Sequence, residues 1–229
     1  MKSRRSAASE ERTGARPGRN RPAYPRMCAV LPRSQTPSLL LATLLLLSLL
    51  SPAGATELGK PAPPFSGVKD ERGKEHSLAE HKGQVVVLIV WASRCPHSKR
   101  YAARLRALAQ RYQPKDDKER PKVVLLGLAP NKYETPELIR KAKGKLAFPI
   151  LLDPKGGLTK QLKAFVTPTV FVLDGEGKLR YRGAIDDDPQ GKKDEQERTD
   201  HLRLAIEAVL AGKAPPKAKT GGPGFRIQF

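Results

Sequence analysis

The stretch Trp91-Ala92-Ser93-Arg94-Cys95-Pro96-His97-Ser98 sets one thiol between an apolar run and a segment that opens with proline. Proline costs no hydrogen bond at the first position of a helix, because the amide it lacks has no partner there. Pro96 therefore predicts a helix start with Cys95 at its N-terminus. Unpaired amides at such an end favour an anion. Arg94, His97 and Lys99 add nearby positive charge. The pattern predicts a thiol held as its thiolate, the nucleophilic form. Ser98, three residues on, has a hydroxyl that can donate to that sulfur but cannot join it in a disulfide. The chemistry on offer is attack on a disulfide by one sulfur, with an outside thiol completing the exchange. Peroxide would turn the same sulfur into a sulfenic acid that an outside thiol resolves.

The elements around Cys95 follow from periodicity. Val85–Trp91 is a continuous, β-branched apolar run, as expected of a strand buried on both faces. Pro96–Tyr112 reads as one helix, with Tyr101, Leu105, Leu108 and Tyr112 on its apolar face. Val123–Leu128 is a second buried strand. Thr135 before Pro136 starts a helix that runs to about Lys145. Phe148–Leu152 is a short strand and Leu158–Phe165 a short helix. Val170–Leu173 and Leu179–Ile185 flank Asp174-Gly175-Glu176-Gly177, a hairpin signal. Arg198–Leu210 is a last helix, ended by Gly212. Upstream, Gly59–Phe65 reads as a Pro-rich linker, and Phe65–Val68 opens an N-terminal hairpin followed by one helical turn at Ser77–Glu80. Two β-α-β crossovers demand a parallel central pairing, and the closing hairpin makes the sheet mixed. The expected class is α/β, a central mixed sheet with helices on both faces.

The chain has 229 residues and a formal net charge of +20. Lys and Arg are scattered and no nucleic-acid reading motif accompanies them, so a solvated basic surface is expected and a nucleic-acid partner is not. Residues 1–26 are basic and rich in Arg, Pro and Ser. They read as a disordered extension or a mis-assigned start, with Met27 as the alternative. Residues 27–55 read as a signal peptide: Arg33, the apolar run Leu39–Leu50, then Ala53-Gly54-Ala55 as a small-residue cleavage site. The expected location is periplasmic or secreted, with membrane contact only if the signal stays uncleaved. Cys28 would leave with the signal, so the mature chain keeps one thiol. Residues 56–212 form the expected domain, and 213–229, rich in Pro, Lys and Gly, the expected disordered basic tail.

Four stretches in this order resemble the redoxin group of the thioredoxin fold, which includes exported thiol:disulfide oxidoreductases and AhpC/TSA-type proteins. They are Pro61-Ala62-Pro63-Pro64-Phe65, Trp91-Ala92-Ser93-Arg94-Cys95-Pro96, Thr167-Pro168-Thr169-Val170-Phe171-Val172-Leu173-Asp174 and Tyr181-Arg182-Gly183-Ala184-Ile185-Asp186. The likeness spans about Leu58 to Leu210. From the residues alone Pro168 is a proline entering a strand. The resemblance implies that it is cis and lies against Cys95, and that the backbone of its neighbour Thr167 pairs with substrate. It also implies that Trp91 walls the pocket or the core. The departures are specific. Cys-x-x-Cys has become Cys95-Pro96-His97-Ser98, and the Trp often found before the first cysteine is Arg94. A peroxidase of the wider superfamily would carry Thr or Ser at 92 and Pro at 88, where this chain has Ala92 and Leu88.

The expected activity is monothiol thiol–disulfide exchange, or thiol-dependent antioxidant chemistry, through Cys95. Its partners are protein or small-molecule disulfides and an external reducing thiol, with no cofactor. A binding module that lost turnover is the alternative, and a copper chaperone a more distant one. No metal site is expected, because His76, His81 and His201 show no ligand spacing. Asp186-Asp187-Asp188, next to Pro189, is expected to be a solvated turn.

Overall fold

The structure, a computed structural model, describes residues 57–229 apart from 113, 115, 117 and 118. The basic extension 1–26, the signal segment 27–55 and Cys28 lie outside the described residues. No helix among the described residues is long and apolar enough to cross a membrane.

In chain order the strands are β1 (Val68–Lys69), β2 (Glu75–His76), β3 (Val85–Val90), β4 (Val123–Ala129), β5 (Ile150–Leu152), β6 (Val166–Thr167), β7 (Thr169–Leu173), β8 (Leu179–Gly183) and β9 (Phe225–Arg226). The α-helices are α1 (Pro96–Arg100), α2 (Ala102–Arg111), α3 (Pro136–Lys143), α4 (Gly157–Gln161) and α5 (His201–Leu210). The main sheet has the order β5-β4-β3-β7-β8. β3 pairs in parallel with β4, and β4 in parallel with β5. β7 runs antiparallel to β3 and to β8. The sheet is mixed, as the crossovers and the hairpin required.

β3 is buried at all six positions, which suits the centre of a sheet covered on both sides. Its side chains alternate between two cores. Val85, Val87 and Ile89 join Leu105 and Ala109 of α2, Ile139 of α3, and Leu202, Ala205 and Ile206 of α5. Val86, Leu88 and Val90 join Leu158 of α4 with Ala62, Phe65, Leu162, Ala164 and Ile227. Gly127 in β4 lets β5 approach, since a Cβ there would meet Ile150 Cγ1 at 2.8 Å.

Local signals held where backbone chemistry set them. Thr135 Oγ1 accepts from the Leu138 amide, and Pro136 opens α3. Asp174 Oδ1 accepts from the Glu176 and Lys178 amides and closes the hairpin turn. Elsewhere tertiary contacts changed the outcome. The expected helix Pro96–Tyr112 is two helices that meet at Tyr101, whose buried hydroxyl donates to Asp186 Oδ1 at 2.7 Å. Gly59–Phe65 is packed against the domain: the Ala62 amide donates to Gly177 O, and Phe65 is buried.

The largest correction concerns residues 213–229, expected to be disordered. They run along the domain as an ordered segment. Thr220 Oγ1 accepts from the Ala184 amide and bonds the Tyr181 hydroxyl. β9 pairs with β6, Ile227 is buried, and Gln228 bonds to Asn131 and Lys132. Mean composition hid these anchors. One buried isoleucine contributes about 1.5–3 kcal/mol whatever its neighbours are.

Candidate functional site

Cys95 caps α1 at the carboxyl end of β3, after the turn Trp91–Arg94. Its sulfur has two hydrogen-bond partners among the described residues. The thiol donates to Thr167 O at 3.4 Å, and the Ser98 amide donates to Sγ at 3.5 Å. The Thr167–Pro168 peptide bond is cis. The fold thus brings Cys95 and Ser98 to Thr167, 72 residues along the chain from the sulfur, and Pro168 is the next residue.

The remaining expected site residues take different places. Pro96 opens α1. Trp91 is buried in the core shared by α2 and α5, and its Nε1 has no hydrogen-bond partner among the described residues. Arg94 is exposed, with its guanidinium 4.6 Å from the centre of the Tyr133 ring. His97 lies against Phe225 with ring centres 5.5 Å apart, and its buried Nδ1 lacks a hydrogen-bond partner among the described residues. Ser98 is fully buried. Its hydroxyl does not donate to the sulfur as expected. Ser98 Oγ accepts from the Ala92 amide at 3.3 Å, because that amide leaves the end of β3 without a ladder partner.

Cys95 itself is only 3% exposed. A cavity of about 190 Å³ reaches it, lined by Arg94, Tyr133, Asn131, Phe225, Arg226 and Gln228 among others. Both charged residues in this lining are arginines. A negatively charged thiol or disulfide is favoured there over a positive one.

Sequence reasoning missed Asn131, Tyr133 and Glu134, which follow β4 directly. Their position was a usable signal, since sites gather beyond the carboxyl ends of parallel strands. Glu134 is buried, with Oε1 accepting from the Ser93 amide at 2.9 Å and Oε2 unpartnered among the described residues. Burial pushes its carboxyl above the ordinary value, and the bonds from Ser93 and the charge of Arg94 only partly oppose this. Burial also raises Tyr133, reinforced by Glu134 and opposed by Arg94.

Asp186 and Asp188 are not a solvated turn. Asp186 accepts from the Tyr101 hydroxyl and from Arg104 Nη1, each at 2.7 Å, and Asp188 accepts from Arg104 Nη2 at 2.7 Å. Both carboxylates are buried because the Arg104 fork reaches them. Burial and the hydrogen bond to Asp186 push the Tyr101 phenol far above its ordinary range. Asp187, half-buried, is the least enclosed of the three, and its bonds from Lys193 and Thr199 hold it down at about 2.

The histidines also depart from expectation. Ligand atoms of His76, Glu80 and His81 lie within 4.8 Å of one another, around the 3-10 turn Leu78–His81. His76 Nε2 is 3.0 Å from Asp70 Oδ2, and His81 Nδ1 is 3.2 Å from Gln84 Oε1. Chain spacing alone did not reveal this grouping, because a tight turn folds His76 back toward the other two. None of the three lines the cavity at Cys95.

The AhpC/TSA family profile matches residues 58–182. Sporulation thiol-disulfide oxidoreductase A of Bacillus subtilis is 30% identical over 127 residues, covering 56% of this chain and 74% of that protein. Thiol-disulfide oxidoreductase ResA of Bacillus thuringiensis is 28% identical over 123 residues, covering 54% and 67%. Two solved structures overlay with a TM-score of 0.65 at 28% identity, each covering 77% of this chain. One is an uncharacterized conserved protein from Geobacillus kaustophilus, 94% covered, and the other a hypothetical protein from Sinorhizobium meliloti, 96% covered.

Proposed function

We propose, from the premise that the chain belongs to the AhpC/TSA family and has an α/β thioredoxin-like fold, that it is an exported thiol–disulfide exchange protein working through Cys95 alone. The observation that carries this reading is the setting of one sulfur. Cys95 Sγ lies between the Ser98 amide and the Thr167 carbonyl, and serine stands where a second thiol would resolve the adduct. The curated relatives named thiol-disulfide oxidoreductase support the reaction class. The segment 27–55, read as a signal, supports export.

In this reading Cys95, as thiolate, attacks one sulfur of a disulfide. The new bond joins Cys95 to that sulfur, and the other sulfur leaves as a thiolate and takes up a proton. An outside thiol then gives up its proton and attacks the mixed disulfide. It forms a disulfide with the bound half and frees the Cys95 thiolate. The Ser98 amide stabilises negative charge on Sγ when Cys95 attacks and again when it leaves. Thr167 walls the site, and the cis bond to Pro168 sets the course of its backbone. Arg94 and His97 stand at its rim, while Trp91 and Pro96 fix the turn.

The test is reduction of a peptide–glutathione mixed disulfide by the mature chain with excess glutathione, compared with Cys95→Ser. Turnover that vanishes in the variant supports the reading, and mass spectrometry should find glutathione on Cys95 during turnover. Burial of Cys95 favours a second reading, a binding module without turnover. A folded wild-type protein with no turnover, and with peptide binding unchanged in Cys95→Ser, would select it.

A further inference from the structure

The C-terminal segment lies over the reactive cysteine. β9 pairs antiparallel with β6, matching Phe225 to Thr167 and Arg226 to Val166. Thr167 is also the residue whose carbonyl accepts from the Cys95 thiol. One short stretch of backbone therefore serves both the sulfur and the tail. Phe225, Arg226 and Gln228 close the cavity that reaches Cys95. The Phe225 ring tilts against His97, two residues from the sulfur.

The segment is fastened at its ends. On one side Thr220 is bonded to Tyr181 and Ala184. On the other, the Ile227 amide donates to Phe165 O, and the Gln228 amide donates to Asn131 Oδ1 while its carbonyl accepts from the Lys132 amide. Phe229 lies beneath the Lys160 ammonium, 4.6 Å from ring centre to Nζ. Between these anchors Phe225 remains 51% exposed. The arrangement is a strap over the site, held at both ends, with little core beneath its middle.

A short strand edge offers main-chain hydrogen bonds to any extended polypeptide laid beside it. Here the protein's own tail takes them. We propose that residues 221–229 are an intramolecular ligand of the Cys95 site, occupying the place of an extended polypeptide that carries the disulfide, and that such a substrate enters by displacing them. The inference rests on the exchange reading above and adds the substrate class and its gate. The 190 Å³ cavity at the sulfur is of a size for a small thiol. A polypeptide has no room until the tail leaves. The tail also shows what fits. Gly224 is set by space, since a Cβ there would lie 2.9 Å from Thr167 O and 2.9 Å from Val166 Cβ. The backbone oxygen cannot swing aside. An aromatic residue then meets His97, and an aliphatic one two positions on is buried.

Gly224→Val tests this in the full chain without touching Cys95. Three readouts are compared with wild type: amide exchange at Ile227 and Gln228, and the rates of Cys95 modification by N-ethylmaleimide and by a polymer-linked maleimide. A site competent only part of the time reacts in proportion to that fraction. A tail docked about nine-tenths of the time therefore predicts roughly a tenfold faster reaction with the bulky reagent once it is released. The small reagent should gain less, and excess synthetic peptide of residues 221–229 should restore protection. If Gly224→Val does not fold, Ile227→Ser is read in the same way. Free tail amides with unchanged bulky-reagent rates overturn the proposal. So does failure of both folded variants to free those amides, which would make the segment a fixed part of the fold. Turnover of the peptide–glutathione disulfide separates the two ideas. A gain in reactivity without turnover overturns the exchange reading and keeps the strap, whereas turnover indifferent to tail release does the reverse.

Discussion

Ser98 gives Cys95 its backbone amide and spends its hydroxyl elsewhere. The amide nitrogen is 3.5 Å from Sγ, and Oγ accepts from the Ala92 amide at 3.3 Å. The side chain at 98 is thus buried beside the sulfur without being bonded to it. Ser98→Cys should place a second sulfur there. The expected result is an internal disulfide on mild oxidation, seen as the loss of two hydrogens in intact mass and of both free thiols. The reduced variant should be less stable by about 1 kcal/mol, because the buried Ala92 amide loses its oxygen acceptor. Exchange should then proceed with less dependence on outside thiol. An oxidised variant that keeps two titratable thiols would contradict this placement.

The arginines at the cavity should select by charge. Arg94 and Arg226 are the two charged residues among those that line it. Cys95 is expected to react several-fold faster with an anionic aromatic disulfide than with the cationic disulfide cystamine, an electrostatic effect on encounter. The ratio should shrink in high salt and in Arg94→Gln. Equal rates for the two reagents at low salt would show that the arginines do not face the approach path.

Stability should fall as Glu134 ionises. Its carboxyl is raised by burial above the usual 4.5 of an unfolded chain. The folded state therefore binds its proton more tightly than the unfolded state. The resulting stabilisation is complete below the unfolded value and is lost as pH rises from there through the raised folded value. Urea midpoints measured across this window should drop for wild type. Glu134→Gln, which cannot ionise, should flatten that part of the curve. Asp70 works in the opposite sense. Burial opposes its charge, but bonds from His76 and the Arg72 and Lys74 amides outweigh burial and hold its carboxyl below 3.8. Its contribution is present above that value and fades as acid titrates it.

Asp186→Ala should be costly for a residue in an apparent loop. It removes the acceptor of the buried Tyr101 hydroxyl and one of the two carboxylates that hold Arg104. Breaking a buried ionic pair by taking one partner away costs about 3 kcal/mol. The urea midpoint should fall with little change in slope. A shift within error would mean that water replaces Asp186 in this network.

The parts legible in the sequence are those set by short-range pattern. β3 announced itself by the continuous apolar run Val85–Trp91, α3 by Thr135 and Pro136, and the hairpin by Asp174 and its glycines. The Cys95 turn was legible for the same reason, because Pro96 marks a helix start on its own. What escaped depends on partners far along the chain. The break at Tyr101 needs Asp186, 85 residues away. The burial of the acidic turn needs the fork of Arg104. The ordered tail needs Asn131, Phe165 and Tyr181, none of which its own composition foretells. Glu134 was hidden differently. A glutamate in a polar loop carries no local mark of burial until β4 is known to end beside Ser93.

Tyr101 joins the short helix that Cys95 caps to the long helix behind it, and its hydroxyl is tethered to Asp186, 85 residues along the chain. That joint works like a bolt through a bracket. The cysteine-bearing turn cannot swivel on the sheet without shearing a buried phenol–carboxylate contact and the Arg104 fork beneath it. The sulfur consequently keeps a fixed aim, and discrimination among reaction partners falls to whatever passes in front of it.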